Sequence, residues 1–332
     1  MRSILSKLEP GSQPSGRPPA AVELAPQGVL AAAAPGSGKP PVYAFEPLPA
    51  GAVVPGIGEQ NLRAPELVAN AIRAALAQVA PRTRAVTLVL PDTVVRVFVL
   101  DFDSLPGKAA EAIPILRFRL RKMIPFDVEQ AGLSYQVLTE NKTECKVLVA
   151  VLPGPILAEY EAAVRRAGYE PGAVLPSSLA ALAAIDSPEP VLTVNLTARA
   201  LTTSITHGQD LLLYRTLDLP EEPGLRLEEV RRDVSVAAAY FEDKLGTKLR
   251  LLYYAGIGAS AGTGENSVAK EFARLLDIPS LLDAPNLPNS PDAPGAPGLT
   301  VVDLAPRPET GAATPLGSLS LAGVTGALAG AA

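Results

Sequence analysis

The chain has 332 residues, 48% of them hydrophobic, with 29 Lys and Arg against 34 Asp and Glu. This length predicts two or three domains, and the mildly acidic charge argues against a nucleic-acid-binding surface. A single Cys and a single His exclude an internal disulfide and a His/Cys metal site. The sequence contains no run of about 18 strongly apolar residues, so no membrane span is predicted.

Two stretches are predicted to lie outside any packed core. Residues 1–19 and 279–298 are rich in Pro and in small or polar residues and contain few bulky side chains. Their burial would therefore not offset the entropy that ordering costs. Residues 1–19 also lack the apolar segment of a secretory signal, which favours the cytoplasm. We expect a disordered N-terminus over 1–19 and a Pro/Ala-rich loop over about 279–316.

Strands alternate with helices in the first predicted lobe, residues 20–185. Residues 20–34 are typical of two strands joined by a tight turn, and residues 85–91 of a buried strand. Residues 64–80 between them predict a helix, with Pro65 in the first turn. The apolar face of this helix is predicted from a repeat of every four residues, Leu67, Ala71, Ala75 and Val79.

A β-α-β-β-α-β order is predicted within this lobe, over about 92–175. This order is typical of a split βαβ unit that folds as a compact subdomain. We therefore expect an insert attached to the first lobe. Its elements are predicted as a strand at 94–100, a helix at 107–123, a hairpin at 133–152, a helix at 155–168 and a closing strand at 172–176.

The second lobe is predicted over residues 190–332. Its elements are a three-strand meander at 194–215, a long helix at 226–245, a strand at 249–260 that enters a glycine turn, and a helix at 267–277. The small residues of the tail, 317–332, predict a helix that packs closely on another backbone. Two α/β lobes that each open with a meander, one of them with an insert, predict an actin-like (ribonuclease H-like) α/β fold.

Four stretches carry further information. "LRFRLRKMIPFDVEQAGLSYQVL" (116–138) is a helix, a Pro-Phe turn and a strand, and "AEYEAAVRRAGYEPGAVLPSSLAAL" (158–182) is a helix, an Ala-Gly turn, a strand and a helix that follows Pro. The meander with Gly208 and Arg215, and "AGVTGALAG" (322–330), complete the set. In their order and spacing these stretches resemble the PilM family, the actin-like cytoplasmic proteins of type IV pilus assembly.

The resemblance implies a nucleotide pocket, and this sequence departs from its pattern. PilM-like proteins carry Asp-x-Gly at the end of the first strand and again at the start of the second lobe. The Asp helps to hold magnesium, and the Gly lets backbone N–H groups approach the phosphates. Here the first place holds Glu23 and Ala25, followed by Pro26, and the second holds Asn195 and Thr197.

The third part of that pocket, a Gly-Gly turn beside the adenosine, is retained only as Gly256 and Gly258. Each lost contact would cost about 1–3 kcal/mol. We therefore predict that ATP and magnesium bind weakly or not at all, and that the protein is a pseudo-ATPase and not an enzyme. The alternative is an active ATPase or small-molecule kinase of the same superfamily, which would require a general-base Asp and intact phosphate glycines.

The resemblance also implies a partner. PilM-like proteins capture the short cytoplasmic N-terminal segment of PilN, a membrane protein with a single span, in a groove between the first lobe and the insert. An extended peptide gains backbone hydrogen bonds and side-chain pockets in such a groove. We predict a scaffold of a type IV pilus or related secretion platform, held at the inner membrane through a PilN-like partner, with Phe118, Ile124 and Phe126 near the peptide. The sequence does not determine the oligomeric state.

Four basic residues of the predicted helix at 107–123 leave two interpretations open. They are Arg117, Arg119, Arg121 and Lys122. They form either a solvated face or a contact with anionic lipid. Their spacing distributes them around the helix, which favours the solvated face.

Overall fold

The computed structural model divides the chain into two units. The first comprises Met1–Ala183 with Gly323–Ala332, and the second comprises Ala184–Ala322. None of the helices within the described ranges is long and apolar enough to cross a lipid bilayer. The residues that the structure describes are 16–34, 39–58, 60–141, 144–208, 210–247, 249–256, 272, 300–305 and 319–329.

Strands and helices alternate along the described part of the chain, as the sequence predicts. The strands are β1 (Ala20–Ala25), β2 (Gly28–Ala33), β3 (Val42–Pro47), β4 (Ala85–Leu90), β5 (Arg96–Phe102), β6 (Gly132–Glu140), β7 (Cys145–Leu152), β8 (Glu170–Pro176), β9 (Pro190–Leu196), β10 (Ala200–His207), β11 (Asp210–Asp218), β12 (Leu251–Tyr254) and β13 (Thr300–Asp303). The α-helices are α1 (Pro65–Val79), α2 (Ala109–Leu120), α3 (Gly154–Arg166), α4 (Ser177–Ala181), α5 (Pro223–Leu245) and α6 (Ala322–Ala329).

The first unit is built on a five-stranded sheet in the order β3-β2-β1-β4-β8. Strands β1, β2 and β3 form an antiparallel meander, whereas β4 pairs in parallel with β1 and β8 pairs in parallel with β4. Every residue of β2 is buried, as are four of the six residues of β1 and five of the six of β4. Because both faces of these strands are covered, their sequences are continuous apolar runs and do not alternate with polar residues.

Helix α1 packs on this sheet with the face that a helical period of 3.6 residues dictates. Pro65 lies in the first turn as predicted, and the helix ends at Ala80, whose φ of 46° is left-handed. Leu67, predicted on the apolar face, is 44% exposed. A repeat of four residues drifts by about 40° per step around a helix, so it does not follow one face. The buried residues are Val68, Ala69, Ala71, Ile72, Ala75, Leu76 and Val79.

A separate small subdomain lies between β4 and α3 in the chain. Strands β5, β6 and β7 form an antiparallel sheet with β7 in the middle. Helix α2 contributes Ala112, Leu116 and Leu120 to a core of its own. The sheet side of that core includes alternate residues of β7, among them Val147 and Val149. We call this part, residues 96–152, the insert.

The insert is smaller than the predicted 92–175. The predicted order of elements is present, but α3 and β8 belong to the main sheet. Ile156, Tyr160 and Val164 of α3 lie in the core of the main sheet, and β8 pairs in parallel with β4 from Ala85 onwards. Two parallel strands need a long crossover, and the insert with α3 supplies it. The order of elements alone does not specify which sheet a strand joins.

The second unit repeats the arrangement of the first. Strands β9, β10 and β11 form an antiparallel meander, and β12 and β13 extend the sheet in parallel, in the order β11-β10-β9-β12-β13. Helix α5 covers this sheet with Val230, Val234, Ala237 and Phe241. In each unit the first strand of the meander therefore lies at the centre of the sheet, beside the parallel strands.

Two predicted boundaries of the second half need correction. Thr300–Asp303 forms β13 inside the stretch predicted as a loop, 279–316, because its apolar residues pair in parallel with β12. Helix α6 was assigned to the second lobe, but residues 323–329 belong to the first unit. The rest of the predicted loop, apart from residues 304–305, and the predicted helix 267–277, apart from Phe272, lie outside the described residues.

The end of the predicted N-terminal tail lies beside the main sheet. The carbonyl of Pro19 accepts a hydrogen bond from the N–H of Ala34 at 2.9 Å. Pro18 contacts Gly172, where a Cβ atom would lie 2.9 Å from the proline Cγ. Residues 16–19 are thus part of the folded unit, and residues 1–15 lie outside the described residues.

Candidate functional site

The first predicted phosphate loop is a tight turn between β1 and β2. Ala25 ends β1 and pairs with Gly28, which leaves Pro26 and Gln27 as the turn. At Gly28 a Cβ atom would lie 2.6 Å from the ring of Phe45. The glycine of this turn is thus required for packing against β3, whereas the residue predicted to approach a phosphate is Ala25, which carries a methyl group.

The carboxyl group of Glu23, on β1, lies in a largely buried position. Its Oε1 accepts a hydrogen bond from Ser177 Oγ at 2.7 Å, and its Oε2 is buried with no hydrogen-bond partner among the described residues. Burial raises the pKa of Glu23 to about 7; the hydrogen bond from Ser177 opposes this increase, and the charge of Asp92 adds to it. Near neutral pH this group is therefore a mixture of the acid and the carboxylate.

A second buried carboxyl, that of Asp92, lies close by. It follows β4, is 3% exposed, and accepts hydrogen bonds from the backbone N–H of Ser178, at 3.0 Å, and from the Ser178 hydroxyl. The first two residues of α4 thus bind one buried carboxyl each. Our sequence reasoning missed this pair. The sequence feature that could have indicated it is the pair of serines after Pro176, which ends β8, together with Asp92, two residues after the neighbouring strand β4.

Helix α6 closes over this group of polar side chains. At Gly323 a Cβ atom would lie 2.6 Å from Glu23 Oε2 and 2.7 Å from Ser177 Oγ. At Gly326 a Cβ atom would lie 2.7 Å from the carbonyl carbon of Ala180 in α4. The glycines of α6 therefore let its backbone approach α4 and the Glu23 carboxyl. The predicted close packing of the small-residue tail on another backbone is confirmed.

The second predicted phosphate loop, in the second unit, is the turn between β9 and β10. The N–H of Thr197 donates to the carbonyl of Ala200 at 2.9 Å, and its Oγ1 accepts from the N–H of Ala200 at 3.0 Å and from the N–H of Arg199 at 3.4 Å. Three backbone N–H groups are thus satisfied within the turn. To bind a phosphate, they would first have to give up these bonds.

Asn195 is the last residue but one of β9, and Gly256 lies close to the last one, Leu196. Asn195 is 4% exposed and pairs in register with Thr202 of β10. At Gly256, a Cβ atom would lie 2.7 Å from the backbone nitrogen of Leu196 and 2.6 Å from Cζ of Tyr254. The glycine is therefore held against the strand end, and the phenol ring of Tyr254 occupies the adjacent space. Gly258 lies outside the described residues.

Tyr254 itself is fixed in this position. Its side chain is 3% exposed, and its ring stacks on that of Phe272 with centroids 4.3 Å apart and an angle of 25° between the planes. Its backbone carbonyl accepts a hydrogen bond from the N–H of Leu304 at 2.8 Å. The ring beside Gly256 is thus part of the core of the second unit.

The second unit also contains a buried acid, Asp233, that was not predicted from the sequence. It lies on α5, and its Oδ2 accepts a hydrogen bond from Thr203 Oγ1 at 2.8 Å. Its Oδ1 lies 3.2 Å from Nη1 of Arg215. Burial raises the pKa of Asp233 in spite of the hydrogen bond and the nearby guanidinium. This carboxyl joins α5 to β10 and β11, so we assign it a structural role.

The three residues predicted to bind a partner have different surroundings. Phe118 is 74% exposed on α2, whereas Ile124 is buried in the core of the insert and Phe126 packs partly against that core. Ile124 is therefore not available for a partner while the insert is folded. The turn that holds Phe126 leads towards α3, where a Cβ atom at Gly154 would overlap the backbone carbonyl of Gln130.

The repeated sheet order, a meander followed by two parallel strands in each of two units, defines an actin-like fold. The predicted α/β, actin-like class is thereby confirmed. No family model and no curated protein matches the sequence, but solved structures do resemble the chain.

A chain of the structure described as "PilM-PilN type IV pilus biogenesis complex" is 18% identical, with a TM-score of 0.63 over 86% of this chain and 88% of that chain. The fold of this protein is thus PilM-like, as predicted. Two other likenesses are weaker and carry no argument. One is the cytoplasmic domain of EpsL, an inner membrane component of the type II secretion system of Vibrio cholerae, with 15% identity and a TM-score of 0.45 over 71% of this chain and 81% of that chain. The other is a Bacteroides thetaiotaomicron protein with an actin-like ATPase fold and unknown function, with 10% identity and a TM-score of 0.46 over 87% of this chain and 91% of that chain.

Proposed function

We propose that this protein is a PilM-like scaffold of a type IV pilus or related secretion platform. It acts at the cytoplasmic face of the inner membrane and binds the N-terminal peptide of a PilN-like membrane protein. The observation that carries the proposal is the likeness to the PilM–PilN structure, which extends over 86% of this chain and 88% of that chain. Since that structure is of a complex with PilN, a partner of the same kind is the natural expectation.

The proposed scaffold does not use ATP. The first loop offers Glu23, whose raised pKa makes it a poor magnesium ligand near neutral pH. The second loop offers the amide of Asn195 in place of a carboxylate, and the N–H groups around Thr197 are already bonded. These residues do not fit a nucleotide with magnesium, and Tyr254 fills the space beside the remaining glycine. The proposal therefore assigns the protein no catalytic step.

Calorimetric titration with ATP, in the presence and absence of magnesium, tests the nucleotide part of the proposal. We expect no magnesium-dependent affinity tighter than about millimolar, which corresponds to about 4 kcal/mol. The variant Asn195→Asp/Thr197→Gly adds a carboxylate and releases the N–H groups of Arg199 and Ala200. It should bind at least about tenfold more tightly, only with magnesium. Micromolar affinity in the unaltered protein, or turnover of ATP, would contradict the proposal and favour the enzyme.

Fluorescence anisotropy with a labelled peptide tests the partner. The probe is the N-terminal cytoplasmic segment of a PilN-like single-span membrane protein from the same organism, and a scrambled peptide is the control. We expect saturable binding of the native peptide only. Phe126→Ala should weaken it, because Phe126 is predicted to lie near the peptide and is only partly buried in the turn between α2 and β6. Failure of both peptides to bind would reject the partner and leave the nucleotide result unaffected.

A further inference from the structure

The outward face of α2 carries exposed apolar side chains. Phe118 is 74% exposed, Met123 41% and Ile115 39%. Ile115 and Phe118 are three residues apart on one helix, so their side chains are neighbours. Adjacent exposed apolar side chains form a patch, and such patches are found at contact surfaces more often than single exposed residues are.

The geometry of α2 explains why these residues face outwards. Its buried stripe, Ala112, Leu116 and Leu120, is directed at the insert sheet. Phe118 follows Leu116 by two residues, which rotates it by about 200° to the opposite side of the helix. After Leu120 the N–H of Ile124 donates to the Leu120 carbonyl at 3.2 Å, and Met123 lies in this last turn, 41% exposed.

Two of the basic residues around this helix lie towards the side of Phe118: Lys122 is about 40° and Arg119 about 100° away around the axis. Residues 108–123 contain five Lys or Arg and one Glu, in a chain with a net charge of −5. Three of the five have partners: Lys108 lies 3.8 Å from Glu111, Arg117 donates to the carbonyl of Ala131 at 3.1 Å, and Arg121 binds Glu129 at 2.8 Å. Arg119 and Lys122, one and four residues after Phe118, are exposed and form no ion pair within the described part of the chain.

We propose that this face docks on an anionic lipid surface. We define the lipid-binding face as Ile115, Phe118, Arg119 and Lys122. Apolar side chains interleaved with basic ones on the outside of a helix suit the boundary between lipid headgroups and acyl chains, where each cation adds about 1 kcal/mol. Two copies of the face would repel each other because both are positive. An extended peptide would prefer a groove, and this face is the outer side of a single helix.

The contact is independent of the proposed partner peptide. A peptide would attach the protein to a membrane anchor, whereas the lipid-binding face would set which side of the insert is turned towards the bilayer. The two contacts use different groups. Phe118, which was predicted to lie near the peptide, is assigned here to the lipid-binding face, whereas Phe126 lies in the turn after α2 and is partly buried in the core. The inference therefore stands or falls without the partner.

Flotation with vesicles tests the inference on the whole chain. The vesicles are phosphatidylcholine alone or phosphatidylcholine mixed with phosphatidylglycerol. We expect flotation with the mixed vesicles, little with the neutral ones, and a decrease as salt is raised. Phe118→Ala and Arg119→Glu should each reduce binding at least about fivefold, since one removes the apolar anchor and the other reverses a charge.

Matched changes on α5 provide the controls. Tyr240 is 42% exposed, so Tyr240→Ala removes a comparable ring, and Lys244→Glu reverses a comparable charge; both should float as the unaltered protein does. The chain has a single Cys, Cys145, which is buried, so a polarity-sensitive dye attached at Lys122→Cys reports on the lipid-binding face. Its emission should shift to the blue with anionic vesicles.

Three results would overturn the inference: no flotation of the unaltered protein with mixed vesicles, equal flotation of Phe118→Ala, or an unchanged dye spectrum. An acidic protein segment would then be the better occupant of this face. Because Phe118 and Arg119 are exposed, their replacement should leave the melting temperature unchanged. A loss of flotation with unchanged melting therefore reports on the surface and not on folding.

Discussion

The carboxyl group of Glu23 should make the stability of this protein depend on pH. Burial raises its pKa in the folded state to about 7, against an ordinary value of 4.5. Between these two values the folded protein binds more protons than the unfolded chain, so the free energy of unfolding falls as the pH rises and levels off above about pH 7. A pKa difference of about 2.5 corresponds to about 3 kcal/mol, since each pKa unit contributes about 1.4 kcal/mol.

Replacing the acid by its neutral isostere, Glu23→Gln, should remove this dependence. Urea unfolding followed by circular dichroism, from about pH 5 to about pH 8, measures it as the difference between variant and unaltered protein. We expect this difference to shift in favour of the variant by about 2.5 kcal/mol over that range, because pH 5 already lies above the ordinary pKa of 4.5. The same change at the exposed Glu189 should leave the pH dependence unaltered. Equal pH dependence in Glu23→Gln and the unaltered protein would refute the reasoning.

Two further substitutions test the packing of each unit. Gly326→Ala should destabilise the protein by about 2 kcal/mol or more in thermal unfolding, because the added methyl group meets the backbone of Ala180. The control is Gly56→Ala, where nothing lies within 4 Å of the added Cβ atom. Equal melting temperatures of the two variants would contradict this prediction. Asp233→Ala should cost about 2 kcal/mol in urea unfolding, because it removes a buried hydrogen-bond acceptor and the ion partner of Arg215. A cost below about 0.5 kcal/mol would show that water replaces these bonds.

Local sequence patterns predicted most of the elements in their correct order, although not β3 or β13. Apolar runs such as Ala85–Leu90 predict strands because both faces are buried, and the pattern of α5 predicts a helix because one face is apolar. The strand β13 was missed because four residues inside a Pro-rich stretch carry too weak a periodic signal. Leu67 was placed wrongly because a repeat of four was used where the helix follows 3.6.

The candidate site was less predictable, since it depends on contacts between distant parts of the chain. The Glu23–Ser177 and Asp92–Ser178 pairs join residues 154 and 86 positions apart. No local pattern marks such partners. The same holds for Asp233, whose polar side chain in the middle of an amphipathic helix gives no sign that Thr203 and Arg215 bind it.

By itself the sequence determined whether most segments would form a helix or a strand, because periodicity, prolines and small residues act over a few neighbours. It also determined that the two predicted phosphate loops carry Ala25 and Thr197 where an unobstructed backbone is expected. Only the tertiary structure decided which sheet β8 would join and which unit α6 would cover. Those outcomes depend on which surfaces remain unburied after local folding, and that is a property of the whole chain. The same reason leaves Phe118 exposed: the insert sheet has one α-helix on it, and that helix has an outer side.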